Sequence, residues 1–362
     1  MSNPVAVLVK PPRDPLRYVF TRETIESWLA VKNPSRELRY RIKTAEASGP
    51  FPTDIRLARD LRYYRAHKVA WHAYIYSAFA CGMFDSTKGK DLLRRLRSNK
   101  RDQFRPALAE CMVCWFLAGR MRLSINTCAP GRGNRMLEMK IVSETGDTGV
   151  EVKAPFEELP ELPSEQSSFS HVNEAQKLVA CMDAANKQFD NATPNLLVIV
   201  PSLGSSVVQM RNDIVGAAYG ESKITTPFNP ETGSLGDVNI DFFPEGRFLE
   251  TMRTCGKPLK PDGLPAYRRI SAILCIEERI MERYPRPFDD DLLENLGLFH
   301  SWLEARQRYV SSDNDVWIDH DAIMLHNPHA YHALPQETWR AFPQLIPVDD
   351  RMEWSDNYPI NV

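Results

Sequence analysis

The sequence lacks the long apolar run that a membrane-spanning helix needs. The strongest candidate, residues 69–84, is short and is interrupted by His72 and Ser77, whereas a spanning helix takes about 20 mostly apolar residues. The apolar stretch of residues 5–9 is too brief for the core of a signal peptide, and Lys10 follows at once. We therefore expect a cytoplasmic protein with no membrane partner.

Cysteine is scarce and scattered, with seven in 362 residues. An odd, dispersed set argues against a disulfide framework. The single CxxC pair, Cys111 and Cys114, lies in an apolar helical stretch, which favours a buried position over metal or redox chemistry. The sequence also has no Gly-Lys-Ser/Thr phosphate loop and no GxSxG nucleophile motif, so P-loop nucleotide hydrolysis and serine-type hydrolysis are not indicated.

Positive charge is concentrated in the first third of the chain, although the formal net charge is only −2. Residues 1–105 contain 22 Lys/Arg against 10 Asp/Glu, and the remaining residues contain 23 against 37. A local basic surface is typical of a protein that binds a polyanion such as nucleic acid. A set of solvated helices would give the same composition. The acidic C-terminal two-thirds could serve a protein partner.

The hydrophobic pattern predicts a helical N-terminal region before a larger α/β domain. Helices are expected from Thr21 or Thr24 to Val31 and from about Thr53 to Phe84, and a third, strongly basic helix should follow from Lys88 to Arg105. The expected divisions are a basic helical region at residues 1–103, an α/β domain at 104–350 with an insertion at about 224–265, and a C-terminal tail at 351–362.

The α/β domain is inferred from the order of helix and strand patterns. The expected elements are a helix at 104–118, strands at 121–126, 136–142 and 149–154, a helix at 173–189 and a buried strand at 195–200. Later elements are a helix within 207–218, a helical segment around 292–310, and strands at 270–276 and 322–325. This order predicts a mixed central sheet flanked by helices.

Two glutamates and a lysine in the predicted strands are the strongest candidates for chemistry. Glu151 and Lys153 lie two residues apart, so the alternation of strand side chains places them on one face. A turn between paired strands would bring Glu138 close to Glu151. Two carboxylates that converge on a hard divalent cation, with an ammonium beside it, are what metal-assisted hydrolysis of a phosphodiester requires. The carbonyl of Val152 could supply a further ligand.

The arrangement Glu138-x12-Glu151-x-Lys153, within the order helix, three strands, helix, strand, resembles the PD-(D/E)XK nuclease superfamily. The resemblance covers about residues 104–201 and implies a restriction-endonuclease-like core. It also implies that Glu138 and Glu151 bind Mg²⁺ or Mn²⁺ and that Lys153 is the catalytic lysine. The activity to expect is then hydrolysis of nucleic acid, with DNA as the expected substrate.

Two further residues match positions that assist catalysis in members of this superfamily. They are Glu110, on the helix before the strands, and Gln188, near the end of the second helix. The chain departs from the family pattern at Met136-Leu137, where a Pro often stands, and Glu138 replaces the more usual Asp. An alternative is therefore a catalytically inactive nuclease-fold protein that acts as a nucleic-acid- or protein-binding module.

The ExK triplet is not specific by itself, because the chain contains three of them. Glu138-Met139-Lys140 has no acid between it and Glu110, and Glu221-Ser222-Lys223 is expected in a loop without a strand around it. Only Glu151-Val152-Lys153 has both a preceding acid and a strand context. This context selects Glu151 and Lys153 as the functional pair.

Candidate contacts with nucleic acid lie in the basic helix and in a Gly-rich turn before the second strand. Charge runs on helices are also typical of solvated faces, so both interpretations stay open. The candidate contacts are Arg94, Arg95, Arg97, Lys100, Arg101, Arg132 and Arg135. A separate hypothesis is a zinc site at His329 and His332, although Pro328 argues against a helix that would align them.

Overall fold

Two compact units make up the chain. The computed structural model describes residues 11–48, 55–85, 87–127, 131–133, 136–144, 146–155, 174–201, 214–219, 222–225, 239–242, 248, 267–282, 316–348 and 351–355. The first unit comprises Met1–Arg122 and Glu278–Asp321, and the second comprises Leu123–Glu277 and Ala322–Val362. The domain boundaries expected at residues 103/104 and 350/351 stay predictions.

The first unit is built mainly from helices, and the first three of them are capped by side chains. Asp14, Thr21 and Ser35 each accept a hydrogen bond from the backbone N–H three residues further on, which satisfies a donor that the first helical turn leaves free. Thr21, rather than Thr24, caps the second helix. The helices are α1 Pro15–Val19, α2 Arg22–Leu29, α3 Arg36–Glu46, α4 Ile55–Ala80, α5 Thr87–Leu96, α6 Arg101–Cys114 and a π-helical segment Trp115–Arg120.

Aromatic side chains around a buried arginine fill the core of the first unit. Trp28 and Phe104 are fully buried, and their ring centroids lie 6.2 Å apart. The guanidinium of Arg41 lies 4.4 Å from the Phe104 centroid and donates to the carbonyls of Ser98 and Asn99 at 3.0 and 2.9 Å. These acceptors engage both terminal nitrogens of the buried cation, which would otherwise destabilise the core.

An eight-stranded mixed sheet confirms the predicted α/β class. Its order is β1-β2-β3-β4-β7-β8-β9-β10. Neighbours β1/β2, β2/β3 and β9/β10 are antiparallel, whereas β3/β4, β4/β7 and β8/β9 are parallel. The strands are β1 Ser124–Thr127, β2 Met139–Val142, β3 Thr148–Lys153, β4 Asn195–Ile199, β7 Ala272–Glu282, β8 Val316–His326, β9 Gln344–Val348 and β10 Arg351–Trp354.

The helix α7, Glu174–Gln188, belongs to the apolar core of the second unit. Its buried Leu178, Met182 and Ala185 recur at helical spacing, and they share this core with Leu197 and Ile199 of β4. All five residues of β4 are buried, as the uninterrupted apolar sequence predicted for a strand covered on both faces.

Several local predictions differ from the structure or lie outside its described part. The second strand begins at Met139 instead of residue 136, so Glu138 precedes it in a bend. A separate antiparallel pair, β5 Ser222–Thr225 and β6 Asn239–Phe242, forms where a loop and an insertion were expected. The helical segment expected around 292–310 and most of the insertion at 224–265 lie outside the described residues.

Candidate metal and catalytic site

Glu151 and Lys153 lie on the side of the sheet that carries the core shared with α7. In β3 they pair in register with Leu197 and Ile199 of β4, and paired residues on neighbouring strands project to the same face. Leu197 and Ile199 belong to the apolar core around α7. A carboxylate and an ammonium placed beside such a core require partners, because burial disfavours isolated charges.

Glu138 continues the β2–β3 register toward Glu151. The outermost pair of that ladder is Met139–Val150, so one further step sets Glu138 opposite Glu151. Opposed residues of an antiparallel pair share a face. Glu138 is half-buried, and its negative charge raises the pKa of Lys153. The two acids and the lysine are therefore neighbours at one end of β3.

Lys153 joins the buried carboxylate to the end of α7. Its Nζ donates to Glu151 Oε1 and to Gln188 Oε1, the latter at 3.3 Å. The Glu151 side chain is 0% exposed, and that of Lys153 is 23% exposed. The ammonium thus lies between a fully buried carboxylate and solvent, and Gln188 is the amide that holds it from the helix side.

The pKa of Lys153 is raised above its ordinary value. Burial is the largest influence and lowers this pKa, but the attraction of Glu151 and Glu138 together with the hydrogen bond to Glu151 outweighs it. Lys153 is accordingly protonated at neutral pH. It can therefore supply a positive charge there.

Among the residues that the structure describes, no group donates a hydrogen bond to one of the oxygens of Glu151. Oε2 is buried and receives no hydrogen bond within the described residues, while Oε1 accepts from Lys153. A buried carboxylate oxygen without a donor is unfavourable by about 1–3 kcal/mol or more, and a divalent cation would compensate it. The donor set is that of a hard ion, namely the carboxylates of Glu151 and Glu138 with the carbonyl of Val152.

The protein alone does not surround a metal ion at this place. Among the described residues, no group of three or more His, Cys, Asp and Glu side chains could hold one. Mg²⁺ commonly keeps several waters and takes only one or two carboxylates together with oxygens of the substrate. The two carboxylates therefore fit a Mg²⁺ or Mn²⁺ site completed by water and phosphate oxygens.

Cys181 is a member of this cluster that the sequence analysis missed. Burial raises the pKa of its thiol, and the positive charge of Lys153 opposes that rise. Cys181 and Gln188 are seven residues apart on α7, which is about two helical turns, so they lie on the same face of the helix. The seven-residue spacing between Cys181 and Gln188 is the sequence signal that places this thiol near Gln188.

Arg132 is the predicted nucleic-acid contact that the structure places beside Gln188. Its backbone N–H donates to the carbonyl of Gln188 at 2.8 Å, and Arg132 is exposed. A second cation lies near it, since burial first and Arg132 second lower the pKa of Arg269. Arg269 itself donates to Asn191 Oδ1 at 2.7 Å. Arg135 lies outside the described residues.

Glu110 belongs to the first unit, where it forms an ion pair. Arg95 Nη1 and Nη2 donate to its two carboxylate oxygens at 2.8 and 3.0 Å. The side chains are largely buried, with 17% of Arg95 and 9% of Glu110 exposed. Both oxygens of Glu110 are thus engaged, and its predicted assisting role in catalysis stays a prediction.

The basic segment expected as one helix from Lys88 to Arg105 is divided between α5 and the start of α6, and its cations fall into two groups. Arg95, Arg97 and Arg101 turn toward the protein: Arg97 donates to the carbonyls of Val19 and Tyr18 at 3.0 and 2.8 Å, and Arg101 pairs with a carboxylate of α3 at 2.6 Å. These long side chains find acceptors on neighbouring helices, which the charge pattern alone does not reveal. Arg94 and Lys100 are exposed.

The two rival ExK lysines have different surroundings. Lys140 in β2 pairs with Asp147 at 2.8 Å, an ion pair across the β2–β3 hairpin. Lys223 lies in β5, so the expectation that this triplet has no strand around it was wrong. The sequence around Lys223 did not indicate the short two-stranded ribbon that β5 forms with β6. Glu221 lies outside the described residues.

The histidines and the CxxC pair have structural partners. His332 Nε2 bonds to the carbonyl of Asn191 at 2.7 Å. Neither His329 nor His332 belongs to a group of three or more His, Cys, Asp and Glu side chains that could hold a metal ion, since the described residues contain no such group. Cys111 and Cys114 are both fully buried in α6, as predicted.

His320 forms a buried polar cluster in the first unit. Its Nε2 lies 2.5 Å from the hydroxyl of Tyr74, which donates to Glu278 Oε1 at 2.6 Å. Because one hydroxyl has one proton, His320 must donate through Nε2. Burial is the main cause that lowers the pKa of His320 to about 4, so the ring is neutral at pH 7.

Comparison with protein-family models, with curated proteins and with solved structures gives no match. Within the described ranges, no helix combines the length and the apolar character that crossing a membrane would take.

Proposed function

We propose that the chain is a metal-dependent nuclease of the PD-(D/E)XK type, with a restriction-endonuclease-like core and DNA as its expected substrate. The observation that carries the proposal is the buried, half-satisfied carboxylate of Glu151 beside the Lys153 ammonium. Supporting observations are the register that sets Glu138 opposite Glu151 and the chain order of helix, three strands, helix and strand.

Each residue has a distinct role in the proposed reaction. Glu151 and Glu138 would hold Mg²⁺ or Mn²⁺, with the carbonyl of Val152 as a further ligand. A bound ion of this kind lowers the pKa of its water and offsets charge on the phosphoryl oxygens. The ammonium of Lys153, kept protonated by the two acids, stabilises negative charge that develops on the phosphate. Gln188 holds the ammonium in position through its Oε1.

The exposed Arg132 provides positive charge next to this site. Its backbone is fixed to the end of α7 through Gln188, and Arg269 adds a second cation nearby. Phosphate groups of a nucleic acid are attracted to such a pair, and these contacts position the backbone without reading its sequence.

Cleavage of labelled DNA in Mg²⁺ or Mn²⁺ tests the proposal. Glu151→Ala and Lys153→Ala should each reduce cleavage at least a hundredfold, because removal of one preorganised charge from a phosphoryl-transfer site costs on the order of 10²–10³ in rate. Lys140→Ala is the matched control, since it removes the lysine of a rival triplet in the adjacent strand. It should retain wild-type cleavage.

Two outcomes would contradict the proposal. Wild-type activity in both Glu151→Ala and Lys153→Ala would exclude these residues from catalysis. The wild type could instead show no metal-dependent cleavage of single-stranded DNA, double-stranded DNA or RNA. That result would favour the alternative, a nuclease-fold protein that binds nucleic acid or protein without cutting it.

A further inference from the structure

A small basic concavity lies on the first unit, along one face of α5. It has a volume of about 450 Å³ and is lined by Lys90, Leu93, Arg94, Arg97, Ser98 and Gln103. Three of these six residues are cations and none is an acid. Pockets that enclose small organic ligands are mostly apolar, so this lining indicates an anionic ligand.

The geometry of α5 aligns the three cations. Lys90, Arg94 and Arg97 occupy positions i, i+4 and i+7, and the bond from Arg97 N to the Leu93 carbonyl at 3.1 Å continues the helical spacing past the end of α5. Over seven residues the stripe extends about 10 Å along the helix axis. One nucleic-acid strand presents a phosphate about every 3.4 Å of its axis, so the stripe can face about three successive phosphates.

Lys90 and Arg94 are the exposed cations of this face. Lys90 is exposed, and the side chain of Arg94 is 63% exposed. Asp91 accepts from Nε and Nη2 of Arg94 at 3.2 and 2.6 Å, and Gln103 accepts from Nη1 at 3.3 Å, so the guanidinium is oriented and remains open to solvent. Arg97 uses Nε and Nη2 to hold the carbonyls of Val19 and Tyr18, which fixes the guanidinium at the rim of the concavity.

We propose that the Lys90–Arg94–Arg97 face of α5 binds the phosphate backbone of a nucleic-acid strand. This surface differs from the one that the sequence suggested, because it adds Lys90 and Gln103 and omits Arg95, Lys100 and Arg101, which do not line the concavity. The inference rests on the proposed function only in taking nucleic acid as the substrate, since binding at this face requires no metal and no cleavage.

Fluorescence anisotropy with labelled 20-nucleotide DNA, single- and double-stranded, tests this surface in the presence of EDTA. Lys90→Gln/Arg94→Gln removes the two most exposed cations and leaves Arg97 to hold its carbonyls. With duplex DNA, the affinity should fall at least tenfold, and the slope of log K against log[NaCl] should become shallower by about 2, since each lost phosphate contact removes about 0.9. Lys90→Gln alone should make this slope shallower by about 1.

The matched control is Lys32→Gln/Arg36→Gln, which removes two other exposed cations of the same unit. It should bind DNA with nearly the wild-type affinity and salt slope. Wild-type binding by the Lys90/Arg94 variant would overturn the proposal, and so would an equal loss in the control, which would indicate net charge without a site. Displacement of duplex by millimolar inorganic phosphate alone would also overturn it, because the site would then take a single phosphate group.

Two separate readouts, DNA binding in EDTA and DNA cleavage in Mg²⁺ or Mn²⁺, distinguish this inference from the proposed catalysis. Normal binding together with absent cleavage in every variant would leave the α5 surface valid and contradict only the nuclease proposal.

Discussion

Glu151 and Lys153 are oppositely charged side chains that stabilise each other beside the apolar core of the sheet. The carboxylate is completely buried, and the ammonium that pairs with it remains partly exposed. Because the pKa of Lys153 is higher in the folded chain than in the unfolded one, this pair stabilises the fold throughout the neutral range. That contribution disappears only when the pH rises through the folded pKa.

The first prediction concerns the cause of that pKa. Glu151→Gln should lower the pKa of Lys153 toward or below its ordinary value, because burial then acts against the attraction of Glu138 alone. Glu138→Gln should lower it less, since the hydrogen bond to Glu151 persists. NMR titration of the lysine Nζ resonance measures both shifts. An unchanged Lys153 pKa in Glu151→Gln would show that the pair does not exist in solution.

The second prediction concerns His320 and acid stability. Its pKa falls from 6.5 to about 4 in the folded chain, so the unfolded chain binds more protons between these values. Stability should therefore decrease as the pH falls through this window, by up to about 3 kcal/mol at 1.36 kcal/mol for each pKa unit. Urea unfolding at pH 7 and pH 4.5 should show a smaller pH dependence in His320→Gln. Equal pH dependence in both proteins would exclude His320 as the source.

At the scale of elements, α5 has two differently occupied sides. Arg95 points toward α6 and engages Glu110, whereas Lys90 and Arg94 face solvent. The composition of the helix indicated a basic element and nothing about this division. Only the packing of α5 beside α6 determines which cations are neutralised within the protein.

The third prediction is that the ion pair between Arg95 and Glu110 stabilises the folded protein. Glu110→Gln removes the carboxylate that accepts from both terminal nitrogens of Arg95 and leaves this cation paired with Asp91 alone, at 2.8 Å. The variant should therefore lower the free energy of unfolding by about 2 kcal/mol, which is typical of a lost hydrogen bond to a charged group. The double variant Arg95→Met/Glu110→Met should be less destabilised than the sum of its single variants, since it removes both charges together. Denaturant unfolding checks this. Additive losses would show that the two side chains are not coupled.

The elements that the sequence predicted well have strong and local signals. The continuous apolar run of β4 and the Thr21 cap of α2 are two examples. Glu138 is different, because its position one residue before β2 depends on how the chain bends between Leu137 and Met139. The β5–β6 ribbon was missed, since its strands are four residues long and well separated along the chain.

The candidate site was predictable to the extent that it depends on strand alternation. Glu151 and Lys153 share a face by periodicity alone, and the hairpin register brings Glu138 beside them. The positions of Gln188 and Cys181 depend on how α7 lies on the sheet, which no local pattern specifies. The engagement of Glu110 by Arg95 likewise depends on packing between helices, and it was not foreseen.

For the molecule as a whole, the proposed divalent-cation site at Glu138 and Glu151 should couple metal binding to stability. A ligand that binds only the folded state raises stability according to its concentration and affinity. Mn²⁺ should therefore raise the melting temperature of the wild type and leave that of Glu151→Gln unchanged. Glu144→Gln removes an exposed carboxylate of the same hairpin and should respond like the wild type. A shift of equal size in Glu151→Gln would place the binding elsewhere.

Isothermal titration of Mn²⁺ into the wild type, Glu138→Gln, Glu151→Gln and Glu144→Gln tests the proposed site most directly. We predict one saturable site in the wild type and in Glu144→Gln, weakened binding in Glu138→Gln and no binding in Glu151→Gln. Equal binding in all four proteins, or none in the wild type, would contradict a metal site at Glu138 and Glu151.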